Sequence, residues 1–308
     1  MSAIRRVISA WRKNAPEIAA FFNGGLPAFV RQRSPQAGLA GVPVFCFHVV
    51  DAPSFQADCE FLHRNRYRTL TVDEVIEVAG GRRACSGREV ALTFDDGPRN
   101  FHDVAFPLLR KYGLRATIFI APGLHADHYG AMQSSPLRPM SWDEIREVHA
   151  SGLVSVQSHT LQSQSLAYWP TAIPLAGVDP RIEASLRRPP LQLADDLRAA
   201  RELIEKQVPG ARVRHLCFPA YLCSAEAGNA LQLTGHVAGW GGLLPGHPMV
   251  RNGDGCAHLP RLPGILLRRL PGDGRLTLAA VARLKLAEAR EGRRRRTSLS
   301  HAIEGGAG

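Results

Sequence analysis

Three observations predict an α/β fold, βα units around a parallel sheet in one large domain. Short apolar strands alternate with amphipathic helices along most of the 308 residues, the pattern of βα units laid around a parallel sheet. The chain is long enough to bury one large core, because the prior of ~150 residues per domain stretches readily to a barrel. Its composition, 45% hydrophobic and 21% charged, is that of a globular protein.

Residues 1–38 read as an N-terminal extension, closed by the loop-like Arg33-Ser34-Pro35-Gln36-Ala37-Gly38. Inside it Ile4, Val7, Ile8 and Trp11 recur at helical spacing beside Arg5, Arg6, Arg12 and Lys13. That short amphipathic stretch suits either an anionic membrane surface or the protein's own body, and Pro16 limits its length. The barrel occupies residues 39–285, with strands predicted at 42–47, 67–70, 90–94, 115–121, 153–157, 213–218 and 236–240. Helices are predicted at 54–65, 73–79, 102–112, 142–151, 194–207 and 225–233. Ser141-x-x-Glu144 has the spacing of a capping box at the start of the fourth helix, and Gly152 closes that helix.

Between 166 and 193 the periodic pattern lapses into a stretch with Pro170, Pro174, Pro180, Pro189 and Pro190. An insertion of that length reads either as a substrate-binding lid or as a surface excursion. Residues 286–308 form a basic tail, with Arg290 and Arg293 to Arg296 among Gly, Ser and Thr, and read as a solvated, disordered extension.

Thirty-eight Lys and Arg against 27 Asp and Glu give a net charge of +11. A surface of that sign suits contact with an anion: lipid head groups, a phosphorylated carrier or nucleic acid. Nucleic acid ranks last, because the arginine tail has no interleaved aromatics and no reading motif. No run approaches the ~18 apolar residues of a membrane span. The N-terminus lacks the apolar core and cleavage site of a secretory signal, so the expected location is cytoplasmic, peripheral at the inner face of the membrane if the N-terminal segment binds lipid. The six cysteines, at 46, 59, 85, 217, 223 and 256, form no Cys-x-x-Cys pair and read as reduced, mostly buried thiols.

Chemistry concentrates at Val90-Ala91-Leu92-Thr93-Phe94-Asp95-Asp96-Gly97-Pro98. A strand that runs into two adjacent carboxylates and a Gly-Pro turn holds both charges at the rim of a sheet. There one can act as a base while the other binds a cation. An ordinary turn has the same composition.

Thr93 to Pro98 (TFDDGP) resembles the first signature of the polysaccharide deacetylases, metal-dependent hydrolases that remove N-acetyl groups from amino sugars. Val42 to His48 (VPVFCFH) is similar to the opening strand of that family and Arg115 to Ala121 (RATIFIA) to the strand after the acidic motif. Ser141 to Gly152 resembles the helix leading into the second motif, which here reads Ser158-His159-Thr160. His215 to Tyr221 (HLCFPAY) lies where the third motif belongs, and Leu259-Pro260-Arg261-Leu262 resembles a late strand. The likeness spans roughly residues 42–270 and implies an irregular barrel of about seven parallel strands.

The resemblance also implies roles. Asp96 is the expected metal ligand and Asp95 the base, and His159 matches the first histidine of the family's His-(Ser/Thr)-x-x-His motif. A divalent metal, zinc foremost, activates water and polarises the acyl carbonyl. Ser163 stands where the second histidine belongs, and a hydroxyl is a far poorer ligand than imidazole. Catalytic groups of barrels gather at the C-terminal ends of strands, so His48, His125, Asp127 and His128 are placed to face the same rim. His125 and His128 lead as replacement ligands, against the reading of solvated loop residues, and Gln162 or Gln164 could hold a ligating water.

In the third motif Pro219 and Tyr221 are kept, with Ala220 between them. A backbone N–H of this loop is a candidate oxyanion donor. Arg261 matches the arginine that orients the base in some members, though its sequence equally suits a surface position. The family's late Leu-x-His acid has no clean counterpart, and His236 and His258 are the candidates.

Two functional classes follow. The first is a deacetylase acting on an N-acetylated saccharide, with a lipid-linked or nucleotide-linked sugar preferred over mature cell envelope. The second is a degenerate member that binds saccharide or a protein partner without hydrolysis.

Overall fold

The computed structural model describes residues 25–33, 38–129, 133–135, 138–161, 190–221, 225–244, 246–256 and 258–287. The amphipathic stretch near the N-terminus, nearly all of the Pro-rich insertion, Gln162, Ser163 and Gln164, and the arginine tail lie outside these residues.

Eight strands form one sheet: β1 (Val44–Phe47), β2 (Arg68–Leu70), β3 (Glu89–Asp95), β4 (Ala116–Ile120), β5 (Val154–Ser158), β6 (His215–Cys217), β7 (Ala238–Trp240) and β8 (Leu262–Pro263). Seven run side by side in the order β7-β6-β5-β4-β3-β1-β8, all paired in parallel, while β2 pairs with the first half of β3. The path curls back on itself: Leu259, just ahead of β8, donates to the Gly239 carbonyl and accepts from the Gly241 amide, on either side of Trp240 in β7. The irregular (β/α) barrel expected from the sequence is the observed architecture.

Six labelled helices follow the strands: α1 (Ala52–Arg64), α2 (Val72–Ala79), α3 (Phe106–Tyr112), α4 (Trp142–Ala150), α5 (Pro190–Gln207) and α6 (Ala225–Leu233). Strand alternation sends side chains to two different cores. Phe45, Leu92, Phe94, Ile118 and Val156 point outward and pack on Phe55, Phe61, Leu109 and Ile145 of the surrounding helices. Val44, Ala91, Phe119, Cys217 and Trp240 point inward, where Val72, Val75 and Ile76 of α2 plug the lower end of the barrel. The plug leaves the opposite rim to polar groups.

Two details depart from the expected elements. The helix predicted at 102–112 opens as a π turn, Phe101–Ala105, before α3. Pro107 has no N–H to donate and its ring crowds the preceding turn, and the wider turn accommodates it. Residues 25–33 of the extension also pack against the barrel. Leu26, Phe29 and Val30 are buried there, and Arg269 and Arg275 donate to the carbonyls of Phe29, Val30 and Gln32 at 2.6–2.9 Å. Among the described residues no helix is long and apolar enough to cross a membrane.

Candidate active site

In a strand, neighbouring side chains point to opposite faces, so two adjacent aspartates would normally part company. Here Asp95 ends β3 facing the barrel interior, and Asp96 turns into the left-handed region at φ 65°. Both carboxylates therefore address the same rim, and Asp tolerates that backbone better than most residues. Thr160 (φ 62°), next to His159, and Tyr221 (φ 66°) share the conformation. Three of the four non-glycine residues with positive φ among the described residues thus sit at this rim. Backbone strain concentrated in this way marks a site held in place by its surroundings.

Asp95 is sealed. It is 1% exposed, and Arg261, itself 2% exposed, grips it with two hydrogen bonds of 2.7 and 2.9 Å. Burial alone would raise the pKa of this carboxyl, but the guanidinium overrides it and holds Asp95 well below the usual carboxylate range. Arg261 lies between the rings of Phe119 and Tyr221, at 5.6 and 5.5 Å. The surface alternative for Arg261 is thereby excluded. Two buried thiols complete the enclosure: Cys46 and Cys217 approach Asp95 Oδ2 at 3.4 and 3.5 Å. Burial pushes Cys46 up to about 12 and Cys217 well above its ordinary value, so both are protonated.

Asp96 is half exposed, and its Oδ1 lies 3.5 Å from His159 Nε2. His159 is 4% exposed. Its Nδ1 donates to the Cys217 carbonyl at 2.9 Å, which fixes the tautomer and turns the Nε2 lone pair toward Asp96. His125, after β4, is built the same way. Its Nδ1 donates to the Met140 carbonyl at 2.8 Å, and its buried Nε2 has no hydrogen-bond partner. Burial lowers its pKa to about 4, leaving a neutral imidazole. His128 and Asp127 are exposed on the same loop; no hydrogen bond or ion pair joins His128 to the rim among the described residues.

Donor atoms of Cys46, His48 and Asp95 lie within 4.8 Å of one another, as do those of Asp95, His159 and Cys217. Both triads depend on Asp95, whose two oxygens already accept from Arg261, and on thiols that burial keeps protonated. A carboxylate with open access beside an imidazole of fixed tautomer suits a divalent cation better, and at this rim Asp96 and His159 form such a pair.

Tyr221 donates its amide to the Phe218 carbonyl at 3.0 Å, so that N–H is engaged and any contribution of the residue comes through its phenol. The hydroxyl lies 3.4 Å from His48 Nε2 and 3.7 Å from Cys46 Sγ, and His48 Nε2 is 4.0 Å from Asp95 Oδ2. His258 packs edgewise on Phe218 with its Nε2 buried and unpartnered. His236 precedes β7, at the opposite end of the barrel, and bonds to Thr234 at 2.8 Å; it is removed from the candidates for an acid. Sequence reasoning missed Cys46 and Cys217 as neighbours of Asp95, and nothing local distinguishes them from ordinary buried thiols.

A sequence model of the family described as polysaccharide deacetylase matches residues 82–239, just over half of the 308-residue chain. The chain belongs to the polysaccharide deacetylase family. Among curated proteins it is similar to YxkH of Bacillus subtilis, 28% identical over 148 residues that cover 45% of this chain and 48% of that protein. It is also similar to the poly-beta-1,6-N-acetyl-D-glucosamine N-deacetylase of Staphylococcus epidermidis, 29% identical over 106 residues, covering 34% and 35%. The chain thus spans about half of the first relative and about a third of the second. Its fold is similar to that of IcaB from Ammonifex degensii, with a TM-score of 0.59 at 21% identity over 80% of this chain and 96% of that one. A second solved relative is the Streptococcus pyogenes deacetylase PplD in complex with acetate, with a TM-score of 0.56 at 17% identity, covering 75% and 98%. In this member of the family the matched region carries β3, β4, β5 and β6, and with them Asp95, Asp96, His125 and His159.

Proposed function

We propose that this chain is a divalent-metal-dependent hydrolase that removes the N-acetyl group of an amino-sugar saccharide, with zinc as the metal. The observation that carries the reading is the pairing of Asp96 Oδ1 with His159 Nε2 at 3.5 Å, with the other ring nitrogen of His159 held by the Cys217 carbonyl. The S. epidermidis relative, named for a poly-N-acetylglucosamine substrate, supports the saccharide class. The net charge of +11 favours a sugar carried on an anionic lipid or nucleotide.

A bound divalent ion supplies Lewis acidity toward the acyl oxygen and acidifies water. The remaining work falls to side chains of this chain. Asp95 stays ionised at any working pH because Arg261 holds it so, and as the enclosed base it would receive the proton of an attacking water from the side of the mouth, where His48 Nε2 lies 4.0 Å from its Oδ2. Arg261 fixes the orientation of that carboxylate. The Tyr221 hydroxyl and His48, at the mouth, are placed to hold the substrate's amide. His258 is the candidate to return a proton to the leaving amine.

The test is zinc stoichiometry of the full chain purified without a metal-affinity tag, together with acetate release from N-acetylglucosamine oligomers. One ion per chain, lost with acetate release in Asp96→Ala, supports the reading. A wild-type protein that takes up no ion after reconstitution overturns it and leaves a saccharide-binding member of the family.

A further inference from the structure

We infer that Cys217, the last residue of β6, is the positioning residue of this site, holding the Asp95–Arg261 pair through its thiol and His159 through its carbonyl. This inference rests on the reading of Asp95 as base and His159 as metal ligand. Cys217 is fully buried, so it meets no substrate and acts only through the groups it touches.

The hydrogen bonds of Arg261 show what the thiol supplies. A guanidinium has five N–H groups in a fixed fork, and each has an acceptor here. Nε donates to the Gly241 carbonyl at 2.8 Å, and Nη1 to Asp95 Oδ1 at 2.7 Å and Thr93 Oγ1 at 3.3 Å. Nη2 donates to Asp95 Oδ2 at 2.9 Å and to Cys217 Sγ at 2.9 Å. The sulfur thus receives the last N–H of a buried cation, and a buried donor left without an acceptor is costly. The S–H is placed to donate to Asp95 Oδ2 at 3.5 Å, an acceptor both nearer and more charged than the Phe218 carbonyl at 3.8 Å. Thiol, carboxylate and guanidinium close a ring in which none turns alone. Cys46 adds a second thiol to Oδ2 at 3.4 Å but makes no hydrogen bond to Arg261 or His159.

The backbone of the same residue holds the other half of the site. Its carbonyl accepts from His159 Nδ1 at 2.9 Å, which leaves His159 Nε2 facing Asp96. Donor atoms of Asp95, His159 and Cys217 lie within 4.8 Å of one another. In a strand the carbonyl and side chain of one residue keep a set relation, adjustable only by a change of rotamer. The sheet anchors both: Cys217 lies beside Trp240 of β7, whose carbonyl takes the Phe218 amide at 2.9 Å. Because β3 and β6 are not paired in the sheet, the contact between Cys217 and Asp95 crosses the barrel interior. One residue therefore sets the base against the imidazole.

The experiment uses the full zinc-loaded chain, with acetate release from N-acetylglucosamine oligomers and a zinc titration, in wild type, Cys217→Ala, Cys217→Val and Cys217→Ser. Alanine and valine remove both polar functions, one with and one without loss of volume. Each should lower kcat roughly 10–100-fold, the rate equivalent of one hydrogen bond to a charged group. KM and zinc affinity should stay at wild-type values, because the substrate is untouched and the carbonyl of residue 217 remains. Serine keeps a donor and an acceptor, so it should stand closer to wild type than either. In an Asp95→Asn background, Cys217→Ala should lower kcat no further. Wild-type kcat in alanine and valine, serine no better than alanine, zinc affinity falling with kcat, or a full additional loss beside Asp95→Asn overturns the assignment and leaves the metal-dependent reading standing. Loss of the native circular dichroism spectrum in all three variants does the same, since it assigns the side chain to the fold alone. Wild type that takes up no zinc removes both, and zinc uptake without acetate release removes the base that Cys217 serves.

Discussion

His215 at one end of the barrel and His159 at the other spend their ring nitrogens in opposite ways. At the N-terminal end of β6, His215 is fully buried with both ring nitrogens spent: Nε2–H donates to Asp73 at 3.0 Å and Nδ1 accepts from Trp240 at 3.3 Å. At the C-terminal rim, His159 and His125 each spend one nitrogen on a backbone carbonyl and keep the other toward Asp96 or its loop. The chemistry of the side chain is identical at both ends. An unpartnered nitrogen alone does not mark a ligand, because His236 at the closed end also has a buried Nε2 without a partner; what sets His159 apart is the Asp96 carboxylate 3.5 Å from its free nitrogen.

The largest effect expected from that difference is at His159. His159→Gln removes the nitrogen facing Asp96, so acetate release should fall by about 10³-fold or more, the scale of several kcal/mol of metal assistance. Unfolding in urea should change much less, because the loss is a single rim hydrogen bond. A variant that keeps near-normal turnover would erase the distinction between the two ends.

Asp95→Asn comes next and strikes both function and stability. Turnover should drop ~10²–10⁴-fold, as for loss of a general base. The fold should weaken by about 3–5 kcal/mol, because Arg261 is left as an uncompensated buried charge. The pH dependence has a defined sign. The folded-state pKa of Asp95 lies below its ordinary value, so its contribution is complete above the unfolded carboxylate pKa of about 4 and is lost as pH falls toward the lower folded value. Urea midpoints measured from pH 7 down to pH 2 should show an acid limb in wild type that is flattened in the variant.

At the closed end, His215→Leu should cost about 1–3 kcal/mol, the scale of leaving the buried Trp240 N–H without its acceptor. Zinc affinity should stay at the wild-type value. Loss of zinc there would mean that the barrel transmits strain from plug to rim and that the two ends are not independent.

These contrasts also show which parts of the molecule local sequence encodes. Strands 90–94 and 115–121 were legible to within about a residue, because apolar runs bounded by turn residues are a short-range signal. The capping box was legible for the same reason: Glu144 N–H donates to Ser141 Oγ at 3.2 Å, and Ser141 N–H to Glu144 Oε2 at 2.7 Å. The two-residue β8 is too short to carry a periodicity, and only the family likeness pointed to it. Asp96 and His159 could be placed from motif spacing. Arg261 on Asp95 was offered only by the family likeness, with a surface position as its rival, because 166 residues separate the two and a buried arginine looks like a surface one in sequence. Cys46 and Cys217 reach the same carboxylate from β1 and β6, a meeting that only the closure of the sheet creates. The tautomers of His125 and His159 are likewise properties of distant carbonyls.

The smallest effect is expected at the support of the rim. Ser141 follows Met140, the residue that links the Gly97 carbonyl to His125, and its cap fixes where α4 begins. Ser141→Ala removes the acceptor for the Glu144 amide and should cost ~0.5–2 kcal/mol in urea unfolding, with an unchanged slope. Arg138 still holds Glu144 through two hydrogen bonds of 2.7 and 2.8 Å, so residues 138–140 keep one of their two anchors. Zinc affinity should accordingly fall by less than in Asp96→Ala. Equal losses would place the decisive constraint in the link from Met140 to the Gly97 carbonyl, beside the acidic turn, rather than in the Asp96 carboxylate itself.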